Sequence, residues 1–213
     1  MKTTQCIRWI IPFFLILTAS AWAQTPPAGA TKKAGSVEVI NVRFNKQNPG
    51  ASSSISGQWL EAEIELNVKS PGSGVERFVN HVRVTLNLGL EVTSPPKGSP
   101  PIQLYRASVE MVALETGRNF VRFYLPPEVV KRDTISASVK YYLVTLAVGG
   151  EEVSTEQAGR AAVSNGLPKV ESFMAEISSK AGANDGILQP QHLTPFFNDS
   201  NKKAPTAVRR EQL

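Results

Sequence analysis

The chain has 213 residues, 41% of them hydrophobic and 8% aromatic, and a formal net charge of +5. A charge that mild, with basic residues clustered only in the tail, does not point to nucleic acid. The single cysteine, Cys6, lies ahead of an N-terminal apolar run and is expected to leave with it. The mature protein would then have no disulfide, thiol nucleophile or thiolate metal ligand, and its stability must come from core burial.

The opening residues MKTTQCIRWIIPFFLILTASAWAQ carry Lys2 and Arg8, then an apolar run from Trp9 to Leu17, then Ala21 and Ala23 flanking Trp22. This is the pattern of a secretory signal peptide, residues 1–23, cleaved after Ala23. The run is too short to span ~30 Å of hydrocarbon. No later segment is apolar enough for a transmembrane helix, so no membrane span is expected after cleavage. About 190 residues remain, enough for one domain with appendages.

Residues 24–35, rich in Pro, Gly and Ala, read as a flexible leader. Alternating segments follow. In SVEVINVRFNK the parity changes between Val39 and Val42, which places a β-bulge near Ile40 and Asn41. QWLEAEIELNV sets Leu60, Ala62, Ile64, Leu66 and Val68 on one side and Glu61, Glu63 and Glu65 on the other. HVRVTLNLGLEV alternates with almost no error from His81 to Val92, and Gly89 suggests a bulge or a change of pairing partner. After the proline-rich loop SPPKGSPP, IQLYRASVEMVAL sets Ala107, Val109, Met111 and Ala113 on one side. RNFVRFYL sets Val121, Phe123 and Leu125 against Phe120, Arg122 and Tyr124. PPEVVKRD reads as a connection with a helical turn after its prolines. TISASVKYYLVTLAV places Ile135, Ala137, Val139, Tyr141 and Leu143 inward, and its later half is apolar on both parities, as in a strand covered on both faces. EEVSTEQA is expected to be the last strand.

About seven strands with turn signals and no long intervening helix indicate a mainly β fold. The reading is an antiparallel immunoglobulin-like β-sandwich over 36–158, with a short C-terminal helix and an irregular tail. Paired cysteines and a convincing tyrosine corner are absent. Val170, Phe173, Met174 and Ile177 recur at helical spacing, with Gly182 as a stop signal. GILQPQHLTPFF is apolar but broken by prolines; it is expected to lie across the sandwich and bury Leu188, Leu193 and Phe196. Residues 159–197 therefore form a helix and a packing segment, and 198–213 a disordered tail.

Catalysis needs converging groups, such as a nucleophile beside a base. His81 and His192 stand far apart and outside any ligand spacing, so both read as surface histidines. Glu61, Glu63 and Glu65 could offer oxygens to a hard cation, but one strand supplies too few at one point. They read as a solvated row pairing with basic neighbours. No catalytic residue, cofactor or metal site is expected. The candidate interaction surface is Phe120, Tyr124 and Tyr142, on the parity opposite the expected core, where aromatic rings could stack on sugars or anchor a protein. The competing reading is that the C-terminal segment covers them. Lys202, Lys203, Arg209 and Arg210 read as a solvated basic tail, and Asn198-Asp199-Ser200 fits a glycosylation pattern of little weight.

The segments VEVINVRFNK, FYLPPEVVKRDTISASVKYYLV and GLPKVESFMAEIS resemble small secreted immunoglobulin-like proteins from type IV pilus-related gene clusters of Verrucomicrobia such as Akkermansia. The resemblance implies an envelope or surface role and carries over no catalytic residue. A pilin would keep a long apolar N-terminal helix, whereas this chain after Ala23 is polar and proline-rich, so an accessory role is implied. The expected function is an exported, non-enzymatic interaction protein, located in the periplasm, at the outer membrane or on the cell surface. Its partners would be envelope or pilus-related proteins. The alternatives are a carbohydrate-binding or adhesion module with glycans as partners, and a periplasmic chaperone-like protein with an open sheet edge.

Overall fold

The computed structural model describes residues 36–208, apart from positions 51, 52, 54, 71–76, 94, 96, 99 and 168. The expected signal peptide and leader, Cys6, Arg209 and Arg210 lie outside the described residues. The elements in chain order are β1 (Val37–Gln47), β2 (Trp59–Val68), β3 (Phe78–Glu91), β4 (Ile102–Glu115) and β5 (Gly117–Leu125). After them come α1 (Pro127–Arg132), β6 (Tyr141–Val148), β7 (Glu151–Glu152), α2 (Val170–Lys180) and β8 (Gln189–Pro190). One antiparallel sheet has the order β1-β2-β5-β8 and the other β4-β3-β6-β7. The fold is thus a mainly β antiparallel sandwich, compatible with the immunoglobulin-like arrangement.

Period-two patterning built this core. Leu60, Ala62, Ile64, Leu66 and Val68 of β2 face Val82, Val84, Leu86, Leu88 and Leu90 of β3 across one cluster that also takes Val121, Phe123 and Leu125. Each Val, Leu, Ile or Phe among them contributes ~1.5–3 kcal/mol when fully buried. The register of β1 on β2 shifts between Val39 and Asn41, where the bulge was expected. Burial parity on β3 also switches between Val79 and Val82 around His81, whose backbone is left-handed at φ 52°.

Several details differ from the sequence reading. β3 keeps its pairing with β4 through Glu91, so Gly89 is neither bulge nor partner change. It is a point of close approach instead: a Cβ there would lie 3.1 Å from the Tyr141 Cβ and 3.3 Å from the Phe173 ring. That clearance lets α2 seat Phe173 and Ile177 on the outer side of the β4-β3-β6-β7 sheet, against Leu104 and Leu143. Residues 135–140 are irregular and β6 begins at Tyr141, so the expected inward set is not continuous. Ile135 enters the main core, Tyr141 and Leu143 face α2, and Val144, Leu146 and Val148 point inward. β6 is covered on both faces, as its composition implied. The expected last strand shrinks to the two residues of β7.

The segment after α2 covers the β1-β2-β5-β8 sheet. β8 pairs with Phe123 and Tyr124 at the edge of β5, and single 3-10 turns follow at Gln191–Leu193 and Pro195–Asn198. Leu188 and Phe196 are buried as expected, but Leu193 is 65% exposed, because the turn that seats Gln191 points it outward. The tail is ordered through Val208 where disorder was expected. Its main chain bonds the edge of β4: the Val112 N–H donates to the Thr206 carbonyl at 2.9 Å and the Val208 N–H to the Glu110 carbonyl at 2.7 Å. An unpaired strand edge offers such bonds to any side-chain sequence.

Candidate functional site

The register of β2 on β5 sets Glu61 opposite Tyr124, Glu63 opposite Arg122 and Glu65 opposite Phe120, on the side of the sheet away from the core. Cross-strand neighbours on one face lie close enough to pair. The Tyr124 hydroxyl donates to Glu61 Oε2 at 2.6 Å. Arg122 reaches Glu63 Oε2 through Nε at 2.8 Å and through its terminal nitrogen at 2.7 Å. Glu65 meets Arg118 at 3.0 Å, and Arg43 of β1 stands 3.5 Å from Glu63 and 3.6 Å from Glu65. The carboxylate row is therefore saturated with cations supplied by the protein itself. Glu61 and Glu65 are also buried rather than solvated, with Glu61 only 2% exposed, and Glu63 is partly buried.

Burial comes from the segment Gln189–Lys203, which lies over the row as a strap. Phe196 stacks on Tyr124 with centroids 4.3 Å apart and planes at 7°, and meets Trp59 edge-on at 5.8 Å. The Lys202 ammonium bonds Glu61 and sits over the Phe196 ring at 5.7 Å. Gln191 donates to the Phe196 and Lys202 carbonyls, and Arg122 to that of Lys203. Burial, with Glu61 adding to it, pushes the Tyr124 hydroxyl far above its usual range. Lys202 is thus a structural clamp, while Lys203 and Asn198 are exposed.

The three expected surface aromatics do not form one platform. Tyr124 is fully buried beneath Phe196. Phe120 is half-buried on the same face, with the Arg122 guanidinium 5.4 Å from its centroid. Tyr142 belongs to the other sheet and packs into the core against Phe44, rings 5.5 Å apart, with its hydroxyl donating to the Ala161 carbonyl. Its parity was misassigned because the irregular stretch before β6 breaks the alternation on which the assignment rested. His81 is exposed and pairs with Glu110 at 3.2 Å; His192 sits on the strap, in the wall of a cavity that Glu110 also lines. Among the described residues no group of three or more His, Asp or Glu converges as metal ligands would, and no helix is long and apolar enough to cross a membrane.

The outer face of the β4-β3-β6-β7 sheet is different, because only part of it is covered. Beyond α2, Arg83 and Thr85 of β3 stand beside Arg106, Ser108 and Glu110 of β4. Arg83 bonds Glu110 at 3.1 Å, and the Thr85 and Ser108 hydroxyls are 2.7 Å apart. Arg106 is exposed and has no ion pair among the described residues. Two cavities meet at Arg83, Arg106 and Ser108: one of about 640 Å³ over the sheet, and one of about 360 Å³ between the β4 edge and residues 185–193. The second brings open strand edge, cation and concavity together. Alternation had placed Arg106 and Ser108 on the outer face, but nothing in their sequence marks β4 as an edge.

No protein-family profile matches the chain, and no curated protein sequence is similar to it. A crystal structure from Akkermansia muciniphila is similar in fold, with a TM-score of 0.65 at 16% identity, covering 82% of this chain and 94% of that chain. Such a likeness shows a shared fold across almost the whole of that protein.

Proposed function

We propose that this protein is an exported, non-enzymatic immunoglobulin-like interaction module, accessory to cell-envelope or pilus-like assembly, and that it meets its partner along the edge of β4. One observation carries the reading: the strap covers Tyr124 and the carboxylate row, while among the described residues the concave strand edge beside Arg106 is left partly uncapped. The signal-like pattern of residues 1–23, the resemblance of the sequence to pilus-cluster proteins and the fold shared with the Akkermansia muciniphila protein support the envelope setting. A fold alone does not specify function, so the surface bears the weight of the argument. A chaperone-like role is a second reading, favoured by the same edge, since chaperones can bind clients by strand pairing. Glycan binding through Phe120, Tyr124 and Tyr142 is disfavoured by the burial of Tyr124 and the inward packing of Tyr142.

The test is photo-crosslinking in cells, with a photoreactive side chain at Ser108 or Leu193 and, for comparison, at Phe120 or Glu91. Adducts with an envelope protein from the first pair alone are expected. Adducts from Phe120 alone, or from none of the four, would contradict the assignment.

A further inference from the structure

On β4, Glu110 and Val112 direct their main-chain groups away from β3, towards Val208 and Thr206. In an antiparallel strand every second residue does the same, so Ser108, Arg106 and Leu104 also face outward. The Leu104 carbonyl is capped by the Asn184 side-chain amide at 2.9 Å. The edge is therefore closed at Leu104 and again at Glu110. Between them the main chains of Arg106 and Ser108 have no hydrogen-bond partner among the described residues. From Leu104 to Glu110 the strand runs about 20 Å at ~3.4 Å per residue, and the cavity of about 360 Å³ lies over this window.

We infer that the window accepts an extended peptide strand from a partner protein, and that this strand presents a carboxylate to Arg106. The inference rests on the proposed function and names the chemistry of the partner at that surface. The edge already takes a strand, since residues 206–208 pair with it antiparallel. An added strand places its side chains opposite those of β4 on the same face, at ~4.5–5.5 Å between Cβ atoms. The residue opposite Arg106 then meets a cation that has no ion pair among the described residues. The neighbouring charges favour one acid at that position over an acidic run. Arg83 is shared with Glu110, Glu110 also holds His81, and Asp185 lines the far wall. A guanidinium takes a carboxylate in a two-point fork, which fixes the register of the incoming strand.

The experiment uses the full processed chain and amide exchange read by NMR. The probe is a capped heptapeptide alternating threonine and valine around a central glutamate; the control carries lysine at the centre. The glutamate peptide is expected to slow exchange of the Arg106 and Ser108 amides about tenfold and the lysine peptide to have far less effect. Arg106→Gln should abolish the difference between the two peptides while far-ultraviolet dichroism stays unchanged. Equal effects of both peptides, or no effect at Arg106 and Ser108, would overturn the inference. So would a free chain in which these amides are as protected as Val112, because the edge would then belong to residues beyond Val208. If crosslinking from Ser108 succeeds while the glutamate peptide fails, the interaction surface stands and only the carboxylate partner falls.

Discussion

Phe196→Ala tests how far the strap is part of the fold. The Phe196 ring is buried between Tyr124 and Trp59, stacked on the first and edge-on to the second. Its burial contributes ~1.5–3 kcal/mol, and each aromatic pair ~0.5–1.5 kcal/mol beyond area. The sum, about 2.5–6 kcal/mol, brackets the ~3–5 kcal/mol seen for phenylalanine truncation in cores, which is the cost expected for this variant. With a urea slope of ~2 kcal/mol/M, the unfolding midpoint should drop by about 1.5–2.5 M. The Lys202–Glu61 pair, the Arg122 bond to the Lys203 carbonyl and the pairing of β8 with β5 still hold the strap, so native dichroism should persist. Limited proteolysis should open new cleavage between residues 191 and 205. A midpoint moved by less than about 0.5 M, with the strap still resistant, would refute the reasoning.

Lys202→Met leaves Glu61 buried with Tyr124 as its remaining partner and should cost about 3 kcal/mol, the lower end for breaking a buried pair because Lys202 keeps some exposure; adding Glu61→Gln should restore most of that in urea titrations. The Tyr124 hydroxyl is raised above its usual ~10 by burial, so the folded state retains a proton that the unfolded state releases. Its contribution is complete below pH ~10 and declines above it by ~1.36 kcal/mol per pH unit; Tyr124→Phe should make the alkaline fall in stability shallower by one proton. Gly89→Ala presses a methyl against Tyr141, Phe173 and Ile102 and should cost about 1–3 kcal/mol, with faster amide exchange in α2.

The two layers were legible because β2, β3 and β5 alternate so regularly that the core-facing residues could be assigned one by one. Val170, Phe173, Met174 and Ile177 announced α2 in the same way. Tyr142 could not be placed, since β6 is apolar on both parities and the irregular residues 135–140 detach its phase from the preceding stretch. The glutamate row looked solvated because its cover comes from far away: Lys202 reaches Glu61 across 141 residues of sequence. The ordered tail was hidden for another reason. Its attachment to β4 is largely main chain, and alternation reports only on side chains. The window left open by the described residues at Arg106 and Ser108 follows from sheet order, which no local pattern encodes.

The most direct measurement of the account is the set of nuclear Overhauser contacts made by the Phe196 ring. Cross-peaks from that ring to the ring protons of both Tyr124 and Trp59 are expected. Their absence, together with rapid chemical modification of the Tyr124 hydroxyl at neutral pH, would mean that the aromatic face is bare and that the partner-binding surface has been assigned to the wrong sheet.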